Sequence, residues 1–152
     1  MPFDLFIFSA QEMGFVFKLL AALAAGVLIG LEREHRGKSA GISTYSTVIG
    51  GAMIFTALSV SIDPTSPARI AAQVVSGIGF LGAGMILVSP GEKVKNLTTA
   101  ASLWFAAAIG MAIGFGWYLL AAVATIYCAF VPRIPHLKNK ELTHDEPYNG
   151  NK

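Results

Sequence analysis

Residues 97–131 carry no charged side chain. At about 1.5 Å per residue, one helix of that length would run about 52 Å, against a bilayer hydrocarbon core of about 30 Å. The stretch must therefore fold back on itself, and Gly114-Phe115-Gly116 is its natural break. Two consecutive uncharged helices suit lipid rather than water. Composition agrees: 54% of the chain is hydrophobic and 13% charged, where a soluble domain carries about 25% charged residues. The apolar excess is lipid-facing surface.

A second apolar run, residues 15–31, ends abruptly in Glu32, Arg33, Glu34, His35, Arg36 and Lys38. Such a junction marks the edge of a bilayer. The chain reads as an all-α membrane protein, a polytopic bundle of five transmembrane helices over residues 13–131. The spans are expected at about 13–31, 45–62, 69–88, 97–113 and 116–131, with Pro132 and Pro135 stopping the last. Residues 1–12 lack the basic start of a signal peptide and carry Asp4 and Glu12. Phe3, Phe6 and Ile7 suit a short interfacial helix there, with a frayed terminus as the equal alternative. Residues 132–152 are polar and too few for a core, so a disordered tail is expected.

Basic residues set the direction. Nine of them (Arg33, Arg36, Lys38, Lys93, Lys95, Arg133, Lys138, Lys140 and Lys152) fall on one side, against Arg69 alone on the other. Lys18 lies within the first span and is uncounted. The positive-inside rule then puts the N-terminus outside and the C-terminus in the cytoplasm. Trp104, Trp117 and Tyr118 suit interfacial belts, although Trp104 lies deep enough to be helix packing.

Gly77-Ile-Gly-Phe-Leu-Gly82 spells GxGxxG. A dinucleotide site needs a strand before that motif and an amphipathic helix after it, and both flanks here are span. The preferred reading is close helix packing through Gly77, Gly79, Gly82 and Gly84. Gly26/Gly30 and Gly110/Gly114 are two GxxxG pairs with the same consequence. Packing within one subunit is favoured over contact with a second copy, because five helices with short loops must pack together. Asn96-Leu-Thr98 is a glycosylation sequon, discarded because it falls on the cytoplasmic side. The single cysteine, Cys128, excludes an internal disulfide and a cysteine-built zinc site, and reads as a buried inert thiol.

The polar residues at membrane depth are few. Glu32 and Glu34 supply hard oxygens that suit Mg²⁺. Against that, charges at a helix end anchor it in the headgroups, and Arg33 and Arg36 can compensate them. Anchoring is preferred for Glu34 and His35. Glu32, nearest the membrane, is expected to find an internal partner or a function. Lys18 either snorkels to the headgroups or faces Asp63. Asp63 and Arg69 bracket one loop and can form an exposed ion pair. Gln73 and Ser76 can hydrogen-bond across helices or line a transport path. Asn96, Thr98, Thr99 and Ser102 open the fourth span, where hydroxyls cap the helix or its N–H groups hold an anion. No nucleophile–base pair is visible, so no enzyme is expected. No cofactor is expected, no metal is assigned, and a net charge of +2 gives no case for nucleic acid.

Three stretches resemble the signatures of the MgtC/SapB family of bacterial inner-membrane proteins. They are Gly30-Leu-Glu-Arg-Glu34 with Lys38-Ser-Ala-Gly-Ile-Ser-Thr44, then Arg69 through Gly84, then Leu97-Thr-Thr-Ala-Ala-Ser-Leu-Trp104 with Ala108-Ile-Gly110. The resemblance covers about residues 13–131. It implies a polytopic protein of the inner membrane, needed when Mg²⁺ is scarce and regulatory rather than transporting. It also implies action on the F-type ATP synthase or another membrane protein, and hence on membrane potential; a divalent-cation transporter is the alternative. Glu32, Glu34, Asp63, Arg69, Gln73, Asn96, Thr98 and Thr99 are the functional positions it suggests. Two features depart from the pattern. The founding branch carries a folded cytoplasmic domain after the spans, where only the short tail is expected here. The family usually has Arg where this chain has Ser43, and Gly where it has Asn96.

Overall fold

The computed structural model describes residues 9–86 and 95–134. Residues 1–8 of the interfacial segment expected over 1–12, and residues 135–152 of the tail expected over 132–152, lie outside them. Five helices follow in order: α1 (Ala10–His35), α2 (Ile42–Ile62), α3 (Ala68–Met85), α4 (Leu97–Gly114) and α5 (Tyr118–Phe130), closed by a 3₁₀ turn at Val131–Arg133. The first four are long and apolar enough to cross a membrane. α5 is shorter, about 20 Å at about 1.5 Å per residue.

Local chemistry explains the ends. α1 starts earlier than expected, because Ser9 and Glu12 form a reciprocal capping box. The Glu12 amide donates to Ser9 Oγ at 3.2 Å, and the Ser9 amide donates to Glu12 Oε2 at 2.6 Å. α1 also continues past residue 31 to His35, so the charged cluster is helical rather than loop. α3 stops at Met85, short of the expected Val88. The uncharged stretch turns at Gly114–Gly116 through a Schellman motif. The Gly116 amide bonds to the Ile113 carbonyl at 2.9 Å, and the Trp117 amide to the Ala112 carbonyl at 2.8 Å, with Gly116 at φ +84°.

Small residues set how closely the helices meet. α2 lies between α1 and α4. A Cβ on Gly26 would stand 2.5 Å from Ser46 Cα, and one on Gly30 would strike the Ile42 backbone. On the other side of α2, a Cβ on Gly110 would strike the Ile49 carbonyl, and one on Gly114 would stand 2.6 Å from Thr56 Cβ. The matched positions fall in opposite order along α1 and α2 and in the same order along α4 and α2. α1 and α2 are therefore antiparallel, and α2 and α4 parallel. Both GxxxG pairs work within one subunit.

α3 behaves otherwise. Only Ala71 and Ile78 of it are buried. A Cβ on Gly77, Gly79 or Gly84 would meet nothing within 4 Å, and one on Gly82 would only touch Ala100 at 4.0 Å. Among the described residues Gly77, Gly79 and Gly84 thus meet no neighbour, against the expectation that they pack inside the subunit, and Gly82 makes only that one contact. Trp104 is half exposed on α4.

Candidate functional site

The inward stripe of α1 runs Ala22, Ala25, Ile29, at spacings of three and four. Continued one turn further, it reaches Glu32 and Arg33, and both are buried. The stripe that is apolar in the middle of the helix thus turns ionic at its end without leaving the interior. Arg33 is 1% exposed, and its Nη2 donates to Thr99 Oγ1 on α4 at 2.8 Å. Glu32 Oε1 accepts from Arg133 Nε at 3.0 Å and from Arg36 Nη1 at 3.3 Å. Arg36 Nη1 also donates to the Pro132 carbonyl at 2.8 Å. The two arginines strap the turn after α5 onto the end of α1. Arg133 further lies over the Phe130 ring, 4.9 Å from its centroid.

Hydroxyls extend this polar layer across the bundle. Ser102 Oγ donates to the Thr99 carbonyl at 2.9 Å, so the Tyr45 hydroxyl is the donor in its bond to Ser102 Oγ. The Cys128 thiol points at the Ser102 carbonyl, 3.8 Å away. One layer therefore ties α1, α2, α4 and α5 together. Three of its polar atoms are buried with no partner among the described residues: Glu32 Oε2, Arg33 Nε and Arg33 Nη1. No cluster of three or more His, Cys, Asp or Glu side chains able to hold a metal occurs among the described residues.

The profile of the MgtC family matches residues 19–137. The chain belongs to the MgtC family. It is 49% identical over 117 residues to Protein MgtC of Salmonella typhimurium (strain LT2), covering 76% of this chain and 50% of that protein. It is 43% identical over 127 residues to a protein of Escherichia coli (strain K12) named "Putative magnesium transporter YhiD", covering 78% and 58%. It is 47% identical over 110 residues to Protein MgtC of Brucella abortus (strain 2308), covering 72% and 46%. The chain spans about half the length of these relatives. No solved structure matches it.

Seen in this MgtC-family bundle, the eight polar positions suggested by sequence separate into two ends. Glu32, Glu34, Asn96 and Thr99 gather at the basic end. Glu34 is exposed, and its Oε1 accepts the Ile42 amide at 2.9 Å, which caps α2. A Cβ on Gly41 would strike the Glu34 carboxylate, so a larger residue there would displace this cap. Asn96 Oδ1 accepts from Ser39 Oγ at 3.3 Å, and Asn96 sits at φ +64°. Glycine adopts that left-handed conformation freely and asparagine tolerates it, so one backbone serves both this residue and the family's usual glycine. Thr98 is exposed.

Asp63, Arg69 and Gln73 lie at the opposite end. Asp63 Oδ1 accepts from the Thr65 hydroxyl at 2.6 Å and from the amides of Ser66 and Thr65 at 3.1 and 3.2 Å. The Thr65 hydroxyl first, then the two amides, hold its carboxyl below the ordinary range. Asp63 thus builds its own turn, and no ion pair joins it to Arg69. Lys18 is also corrected. Its Nζ donates to the Gly114 carbonyl at 2.7 Å, where α4 ends, rather than to headgroups or Asp63. A cation at a helix C-terminus satisfies an orphan carbonyl and the dipole together. Lys18→Met is expected to cost about 1–2 kcal/mol, read as a lowered Tm in mild detergent. An unchanged Tm would show that the contact is dispensable.

Arg33, Tyr45 and Arg133 belong to the site but escaped the reading of the sequence as functional positions, and Ser102, read as a hydroxyl opening the fourth span, instead links Tyr45 to the Thr99 carbonyl. The stripe spacing from Ala22 was the available signal for Arg33. Nothing local pointed to Arg133, which is 101 residues from its partner.

Proposed function

We propose that this chain is a non-enzymatic membrane regulator that acts by helix–helix contact with a larger membrane complex when magnesium is scarce. The contrast between its filled interior and its open third helix carries the reading. Midway between the two polar ends, Ile49, Ala106 and Ile109 are 0% exposed, and Met53 and Ile113 are nearly so. Meanwhile α3 turns Gln73, Ser76 and its open glycines outward. Polar side chains and small residues on a lipid-facing surface favour close approach of another helix. The family resemblance makes an F-type ATP synthase the first partner to test. The basic residues support an N-terminus outside and a C-terminus in the cytoplasm of a bacterial inner membrane.

Divalent-cation transport is the second reading. It draws on the name of the Escherichia coli relative and on two carboxylates, Glu32 and Asp63, at opposite ends of the bundle. Both are already engaged, one by two guanidinium groups and the other by its own turn. Mg²⁺ influx into liposomes carrying the purified, folded protein separates the two. Regulation predicts influx no greater than in protein-free liposomes. Influx well above that level would replace it with transport.

A further inference from the structure

Arg33 is the largest side chain that the bundle encloses fully. A buried guanidinium ordinarily meets a carboxylate, and this one does not. The adjacent acid, Glu32, is taken by Arg36 and Arg133, so two other guanidinium groups share the nearest carboxylate. Glu34, the other acid nearby, is spent on the Ile42 amide. Two of the three nitrogens of Arg33, Nε and Nη1, are buried without an acceptor among the described residues. The third is aimed at Thr99, in the first turn of α4.

That turn is short of acceptors too. α4 is an 18-residue helix, and its N-cap residue, Asn96, provides no side-chain cap because its amide oxygen is engaged by Ser39. The free N–H groups of such a turn carry the positive end of the helix dipole. Leu97 and Thr98 leave the turn open to the surface. A buried cation and a helix N-terminus, each lacking acceptors, thus meet at one place. Water offers each group a single weak acceptor, whereas an oxyanion offers several and removes the charge imbalance.

We propose that the basic end of the bundle is an anion site for a phosphate group, held by Arg33 and the first turn of α4, with Arg36 and Arg133 at its rim. The group is either the headgroup phosphate of a neighbouring lipid or dissolved phosphate.

Thermal melting of the full chain in mild detergent tests this. Sodium phosphate is titrated against sodium chloride at equal ionic strength, and phosphatidylglycerol is compared with a phosphate-free glycolipid in mixed micelles. A Tm rise of several degrees with phosphatidylglycerol alone assigns the site to lipid headgroups; a rise with dissolved phosphate assigns it to the free anion. Arg33→Gln should lose the response. Should that variant fail to fold, Thr99→Asp carries the test. This change adds one heavy atom and places a carboxylate beside Arg33, so it should raise Tm without added anion and abolish the response. Equal shifts with phosphate and chloride and with both lipids would overturn the proposal. So would a response that persists in Thr99→Asp, or a Thr99→Asp protein that melts below the wild type.

Discussion

Gly110→Leu is expected to abolish the folded bundle. The reason lies in the backbone. A Cβ at this position would strike the Ile49 carbonyl oxygen and stand 2.8 Å from Ala52 Cβ, so the obstruction is main chain and cannot rotate away. Nor can α2 retreat as a body, since its far side rests on Gly26 and Gly30 of α1 at equally short range. Overpacking a well-packed core costs about 1–3 kcal/mol even where side chains can adjust. Here a whole isobutyl group must be accommodated against backbone, so the loss should exceed that range and consume most of a marginal stability. Gly77→Leu makes the matched control. It adds the same group to a helical glycine with nothing within 4 Å, and a helix interior prefers leucine to glycine by roughly 0.5–1 kcal/mol. Circular dichroism melts in mild detergent read both variants. Similar melting of the two proteins would refute the claim that close approach at α2 holds the bundle. Gly77→Leu has a second use: a stable protein that no longer works in cells is what contact through α3 predicts.

The same contrast shows what a sequence can and cannot reveal. Spans and turns were legible because they depend on local runs. An uncharged stretch too long for one crossing must break, and Gly114-Phe115-Gly116 is where it does. The GxxxG spacing at Gly26/Gly30 and Gly110/Gly114 was legible for the same reason, whereas the glycine-rich run of α3 also read as a packing face, yet Gly77, Gly79 and Gly84 meet nothing within 4 Å. Spacing states that a helix face is bare; only the fold states whether a neighbour covers it. Glu32 reads from sequence as needing an internal partner or a function, since a carboxylate at that depth is costly unpaired. Its partner was not legible, because Arg133 arrives by folding from the far end of α5. Arg36 and Arg33 look equivalent in sequence, yet one lies on the exposed face of α1 and the other one turn along the buried stripe. Lys18 shows the reverse. The sequence offered only charged or solvated partners, and the structure supplies a carbonyl freed by the end of another helix.

Glu32→Ala is expected to be the most damaging substitution at the polar layer. Removing one member of a buried ion pair costs about 3–5 kcal/mol, chiefly because the remaining charge loses its compensation. Here one carboxylate serves Arg36 and Arg133, with Arg33 enclosed beside it. The substitution also frees the turn at Val131–Arg133 from α1, leaving only the Arg36 bond to the Pro132 carbonyl. Glu32→Gln should fall between wild type and Ala, since an amide oxygen still accepts from Arg133 but carries no charge. Global damage and loss of this particular contact are distinguished by a double-mutant cycle with Arg133→Ala. Arg133 is about half exposed, so its own removal should cost about 1 kcal/mol or less. In the Glu32→Ala background it should cost less still, because the surplus positive charge falls. Strict additivity would mean that the two residues do not stabilise each other, and the strap between α1 and the turn after α5 would have to be abandoned. The cycle also bears on any transport assay. A Glu32 variant that loses activity by loosening this end of the bundle says nothing about an ion path, so Tm must be measured beside flux in the same preparation.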